Sequence, residues 1–96
     1  TAAPDGWHGL TEPEAIVTLN DVQYLLVEGG AQAAAAFLRA GLVDRLLLYR
    51  APILIGRGKA CLGDLGLTSL VPTHGQWQHV DTRTLGIDTL DVYERA

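Results

Sequence analysis

Methionine is absent from the chain, and cysteine, serine, phenylalanine and lysine occur once each, as Cys61, Ser69, Phe37 and Lys59. A single cysteine excludes an internal disulfide and any cysteine-rich metal arrangement. No base is placed beside it, so Cys61 reads as a partly buried bystander rather than a nucleophile. Ser69 lacks the glycine-flanked elbow of serine hydrolases. The three histidines, His8, His74 and His79, are too scattered for a metal site, and none is expected. Basic residues are also scarce: seven Lys and Arg stand against eleven Asp and Glu, for a net charge of −4. With no basic stripe, binding to nucleic acid is not expected. No apolar run approaches the roughly 20 residues that span a bilayer, and no signal peptide is visible. No membrane association is expected, and a cytoplasmic location is. With so few reactive side chains, any chemistry has to come from a cofactor.

What is present is a globular composition, 48% hydrophobic and 19% charged, in 96 residues. That is enough for one domain or part of one. Residues 1 to 10 read as loop. Thr11-Glu12-Pro13-Glu14 reads as a helix start with Thr11 as N-cap, and the helix ends near Asn20-Asp21. Val22 to Glu28 is an apolar strand without polar alternation, which suits burial on both faces. Helix Ala31–Ala40 follows, stopped at Gly41. Asp44 to Arg50 is a second such strand, so the three elements predict a parallel βαβ unit over 22–50. Residues 51–72 form a long glycine-containing loop. Gln76–Arg83 and Ile87–Glu94 alternate imperfectly and predict an antiparallel hairpin turning at Leu85-Gly86. The two apolar strands lack enough covering elements of their own. The chain starts with Thr1-Ala2-Ala3-Pro4. It therefore reads as the second half of an α/β domain.

The feature with most chemical content is the run Tyr24-Leu25-Leu26-Val27-Glu28-Gly29-Gly30 leading into the alanine-rich helix. Glycines at such a turn tolerate positive φ, and their missing Cβ lets a ligand approach the backbone. The free N–H groups and dipole of the helix start favour an anion such as phosphate. Glycines used only for turn geometry are the competing reading, and both stand at this point. Neither a Rossmann G-x-G-x-x-G nor a Walker loop can be drawn here. Glu28 ends its strand where open α/β sheets place ligands, and its carboxylate can accept bonds from a heterocycle or a ribose. A surface carboxylate capping the turn is the alternative. Gly56-Arg57-Gly58-Lys59 is a basic loop able to close over an anionic ligand, although glycine-flanked basic loops are more often just solvated. Trp7 and Trp77 read as packing residues.

The segments Leu26-Val27-Glu28-Gly29-Gly30, Ala40-Gly41-Leu42-Val43-Asp44 and Ala51-Pro52-Ile53-Leu54-Ile55-Gly56, in this order, carry a resemblance. From about residue 22 onward the chain closely resembles the C-terminal reductase domain of the bifunctional riboflavin-biosynthesis deaminase/reductase. The resemblance implies an α/β fold of the dihydrofolate-reductase-like three-layer α/β/α type. It is present only in part here, as the βαβ unit plus the C-terminal hairpin. It also implies NADPH as cofactor and a phosphoribosylaminopyrimidine reduced to its ribitylamino product; a homodimer is expected besides. Glu28 resembles the family's substrate-contacting carboxylate. Gly29, Gly30, Ala31, Gln32, Ala33, Ala34, Ala35 and Ala36 resemble the turn and first helical turns against which the NADPH phosphates lie. The family's domain is longer, and its first half carries many substrate contacts. The resemblance therefore implies a missing upstream half. Another reductase of the same fold, or a non-catalytic assembly fragment, are the alternative functions.

Overall fold

The computed structural model describes Trp7, Gly9, Leu10 and residues 12–96. Thr11, the expected N-cap, and His8 lie outside the described residues. The first element is a six-residue 3₁₀-helix, Pro13–Thr18, with Glu12 at its N-cap. Pro13 brings no N–H to the ladder, and the β-branched Ile16, Val17 and Thr18 crowd a regular α-turn. Asn20 and Asp21 turn the chain away, with Asp21 in the left-handed region at φ 60°.

Residues 24–30 are exposed and free of any ladder, so the strand expected at 22–28 is not formed. A strand exists only through a neighbour's hydrogen bonds, and no described residue supplies one. Helix α1, Ala31–Arg39, is as expected. It ends where Gly41 takes φ 70°. There Gly41 N–H donates to Leu38 O at 3.1 Å and Leu42 N–H to Phe37 O at 3.2 Å. These are the paired bonds of a Schellman cap, and they require the left-handed residue that glycine supplies.

Strand β1, Arg45–Arg50, forms as expected but is not half of a parallel pair. Strands β2, Trp77–Leu85, and β3, Asp88–Arg95, make the hairpin. β3 lies in the middle of the order β1-β3-β2, antiparallel to both neighbours. The predicted parallel βαβ unit is thus replaced by a three-stranded antiparallel sheet. β1 alternates exposed and half-buried residues over its first four positions instead of being covered on both faces, because one face of such a sheet can stay open. The hairpin turns at Gly86-Ile87, one residue later than expected, with Gly86 at φ 63° as a type II′ turn demands. A second short 3₁₀-helix, Val71–Thr73, is the one regular element between β1 and β2.

The sheet is tied to the exit of α1 by Arg95, which donates from Nη2 to Gly41 O at 2.7 Å and from Nε to Val43 O at 3.1 Å. The backbone N–H of Arg95 also reaches Asp44 O at 3.0 Å. Burial is sparse: among the described apolar residues only Ala35 and Leu90 are buried. Tyr24, Leu26, Ile53, Leu54 and Ile55 are all exposed. Among the described residues no helix is long and apolar enough to cross a membrane.

Candidate functional site

The Glu28-Gly29-Gly30 turn sits at the open start of α1, and all three residues are exposed. Gly30 is the N-cap residue, with φ −75° and ψ 176°, and no side chain caps the helix. Ala34 N–H is the first amide to close on a carbonyl, that of Gly30, at 3.1 Å. The amides of Ala31, Gln32 and Ala33 precede that bond and belong to the donors that an α-helix leaves unpaired. Neither Gly29 nor Gly30 is in the left-handed region, so positive φ is not what the glycines contribute. A Cβ on Gly30 would have no neighbour within 4 Å, whereas one on Gly29 would lie 3.2 Å from Ala33 Cβ. What Gly30 provides is unobstructed space above three free amides, and those amides with that space fit an anionic group.

The rest of the proposed cofactor segment is graded in depth. Gln32 and Ala33 are exposed, Ala31, Ala34 and Ala36 half-buried, and Ala35 fully buried, so Ala35 packs the helix rather than facing a ligand. The loop 51–70 returns to this turn at Gly63, whose N–H donates to Ala31 O at 2.9 Å. A Cβ on Gly63 would fall 2.8 Å from Gln32 Oε1 and 3.3 Å from Ala35 Cβ, so glycine is what permits this contact. The loop thereby flanks the helix start without covering it.

Other sequence candidates fall elsewhere. Gly56-Arg57-Gly58-Lys59 is exposed. Cys61 is exposed, not partly buried as its residue type suggested. Trp7 is exposed rather than packed, while Trp77 is half-buried on β2. Among the described residues no three His, Cys, Asp or Glu side chains converge as metal ligands would.

A cluster that the sequence reading missed lies on one face of the sheet, around the buried Asp91. Its Oδ2 accepts from Arg50 Nη2 at 2.5 Å; its Oδ1 takes His79 Nε2 at 2.9 Å and Thr82 Oγ1 at 2.8 Å. The hydrogen bond from Thr82, then those from His79 and Arg50, hold the Asp91 carboxyl below its ordinary range, against burial, which acts the other way. His79 also lies beside Tyr93, with ring centroids 5.1 Å apart. The one visible trace of this cluster in the sequence is the faulty alternation around Val80.

Comparison with known proteins points to one family. The family model described as the RibD C-terminal domain matches residues 10–90. The riboflavin biosynthesis protein RibD of Mycobacterium tuberculosis (strain ATCC 25618 / H37Rv) is 38% identical over 77 residues, 80% of this chain and 22% of that protein. That of Aquifex aeolicus (strain VF5) is 38% identical over 50 residues, covering 52% of this chain and 14% of its own. That of Corynebacterium ammoniagenes is 53% identical over 38 residues, 40% of this chain and 11% of its own. The chain spans at most 22% of the length of these curated relatives.

Proposed function

Because the chain belongs to the RibD C-terminal domain family, we propose that it forms the carboxyl part of an NADPH-dependent reductase domain of riboflavin biosynthesis. In this reading the complete domain has the dihydrofolate-reductase-like fold, and an upstream half completes the site. The substrate is a phosphoribosylaminopyrimidine, reduced to its ribitylamino product. The observation that carries the reading is the exposed Glu28-Gly29-Gly30 turn, with open space at Gly30 over the first amides of α1.

Bound NADPH supplies the hydride. The amides of Ala31, Gln32 and Ala33 hold its phosphates by charge-assisted hydrogen bonds and the helix dipole. Glu28, exposed at the same turn, accepts hydrogen bonds from the donors of the substrate and so orients it. Hydride transfer needs two reactants held in register rather than a nucleophile, so positioning is the work left to these residues.

The test is NADPH consumption by the complete reductase domain carrying this sequence, with and without the pyrimidine substrate. Substrate-dependent consumption is expected there, and none from the 96-residue chain alone. A complete domain that binds no NADPH would overturn the reductase reading. Turnover by the isolated chain would overturn the need for an upstream half. A non-catalytic assembly fragment is the second reading, favoured by the exposed apolar residues and by edge strands β1 and β2, each paired on one side. It predicts a stable dimer without nucleotide affinity, whereas the reductase reading predicts a homodimer that binds NADPH.

A further inference from the structure

The Asp91 cluster depends on an irregularity in β2. From the turn, Leu85 pairs with Asp88, Thr84 with Thr89, Arg83 with Leu90, Thr82 with Asp91 and Asp81 with Val92. The register then shifts, and His79, Gln78 and Trp77 pair with Tyr93, Glu94 and Arg95. Val80 is the extra residue, a β-bulge with its side chain 47% exposed. In a regular strand His79 and Thr82, three apart, would point to opposite faces. The bulge puts both on the face of Asp91, and both reach the same oxygen, Oδ1.

A second register is open to the same chain. With the Gly86-Ile87 turn unchanged and no bulge, Val80 would pair with Tyr93, His79 with Glu94 and Gln78 with Arg95, by continuing the pairing that holds from Leu85 to Asp81. Val80 would then enter the Asp91 face beside Tyr93. His79 and Trp77 would cross to the opposite face, since a one-residue slip exchanges the faces. That alternative exchanges Trp77 for Val80 on the Asp91 face and leaves the buried carboxylate with Thr82 and Arg50 as its donors. We propose that Asp91 is a register selector: by claiming His79 in addition to Thr82 and Arg50, which face it in either register, it holds β2 in the bulged register against the regular one. The first half of β2 is thus a two-state element, with the Asp91 carboxylate setting which face Trp77, His79 and Val80 occupy.

The test is cross-strand NMR contacts in the full-length protein, with Trp77 emission as a second readout. The wild type is expected to give His79–Tyr93 contacts. Asp91→Leu, which fills the space but accepts nothing, is expected to give Val80–Tyr93 and His79–Glu94 contacts and an altered Trp77 emission. Losing a hydrogen bond to a charged group corresponds to a shift of roughly tenfold or more in the ratio of the two registers. Deleting Val80 in the Asp91→Leu background is expected to restore His79–Tyr93 pairing, because one register then remains. A folded Asp91→Leu variant that keeps the bulged contacts would overturn the proposal. Should Asp91→Leu fail to fold, His79→Phe decides, since it removes the one bond that only the bulged register makes and keeps the carboxylate on Arg50 and Thr82. A second set of Val80–Tyr93 contacts supports the proposal, and an unchanged single set overturns it.

Discussion

Gly30→Ala separates the two reasons a glycine could stand at the start of α1. Gly30 has φ −75° and ψ 176°, a conformation open to any residue, and an added Cβ meets nothing within 4 Å. Alanine restricts the unfolded chain, worth about 0.4–1 kcal/mol of stability, but is a poorer N-cap than glycine by a similar amount. The two nearly cancel, and the change in folding stability should stay within about 0.5 kcal/mol. A phosphate seated on the amides of Ala31, Gln32 and Ala33 would feel the same methyl directly, projecting about 1.5 Å from the backbone. Losing one charge-assisted hydrogen bond costs about 1.5–3 kcal/mol, or roughly ten- to a hundredfold in NADPH Kd. The assay is a thermal melt together with an NADPH titration of the complete reductase domain. An unchanged melt with a Kd within about twofold of wild type would refute the phosphate seat. A lowered melt would instead assign Gly30 to the architecture of the turn.

Gly41→Ala should show the opposite signature: at φ 70° an alanine is strained, costing about 1–2 kcal/mol of stability by denaturant melt, with NADPH affinity of the folded protein unchanged. Glu28→Gln removes the charge but keeps the shape, so the KM for the pyrimidine should rise while NADPH affinity holds; a loss confined to NADPH would reassign the carboxylate. Asp91 has a folded value depressed below 3.8. Its contribution is therefore present above that value and lost as pH falls through the folded one, and Asp81, held down by Arg83, follows the same sign. Thermal melts followed from about pH 5 to pH 2.5 should fall more steeply for wild type than for Asp91→Asn; parallel curves would count against the Asp91 hydrogen bonds.

The elements with local instructions were readable before any coordinates. The alanine run and Gly41 gave α1 and its Schellman end, Leu46-Leu47-Leu48 gave β1, and Gly86 gave the hairpin. The partner of β1 was not readable, because two apolar runs flanking a helix suit a parallel unit as well as an antiparallel pairing with a strand some forty residues later. The extended run at 22–28 has strand residue types but no described neighbour to hydrogen-bond. Glu28, Gly29 and Gly30 were legible as a turn beside a helix N-terminus; that the glycines supply space rather than positive φ required the backbone angles. The Asp91 cluster joins three strands through a bulge, and a bulge reaches the sequence only as a broken alternation at Val80.

The strand order also has a consequence for synthesis on the ribosome. β1 is complete at Arg50, yet its partner β3 begins at Asp88. At roughly 5–20 residues per second, β1 waits a few seconds before β3 can pair with it. During that interval Leu46, Leu47 and Leu48 form an apolar segment on a nascent chain that β3 does not yet cover. That window suits capture by a holdase chaperone, and slower translation between codons 51 and 87 would widen it.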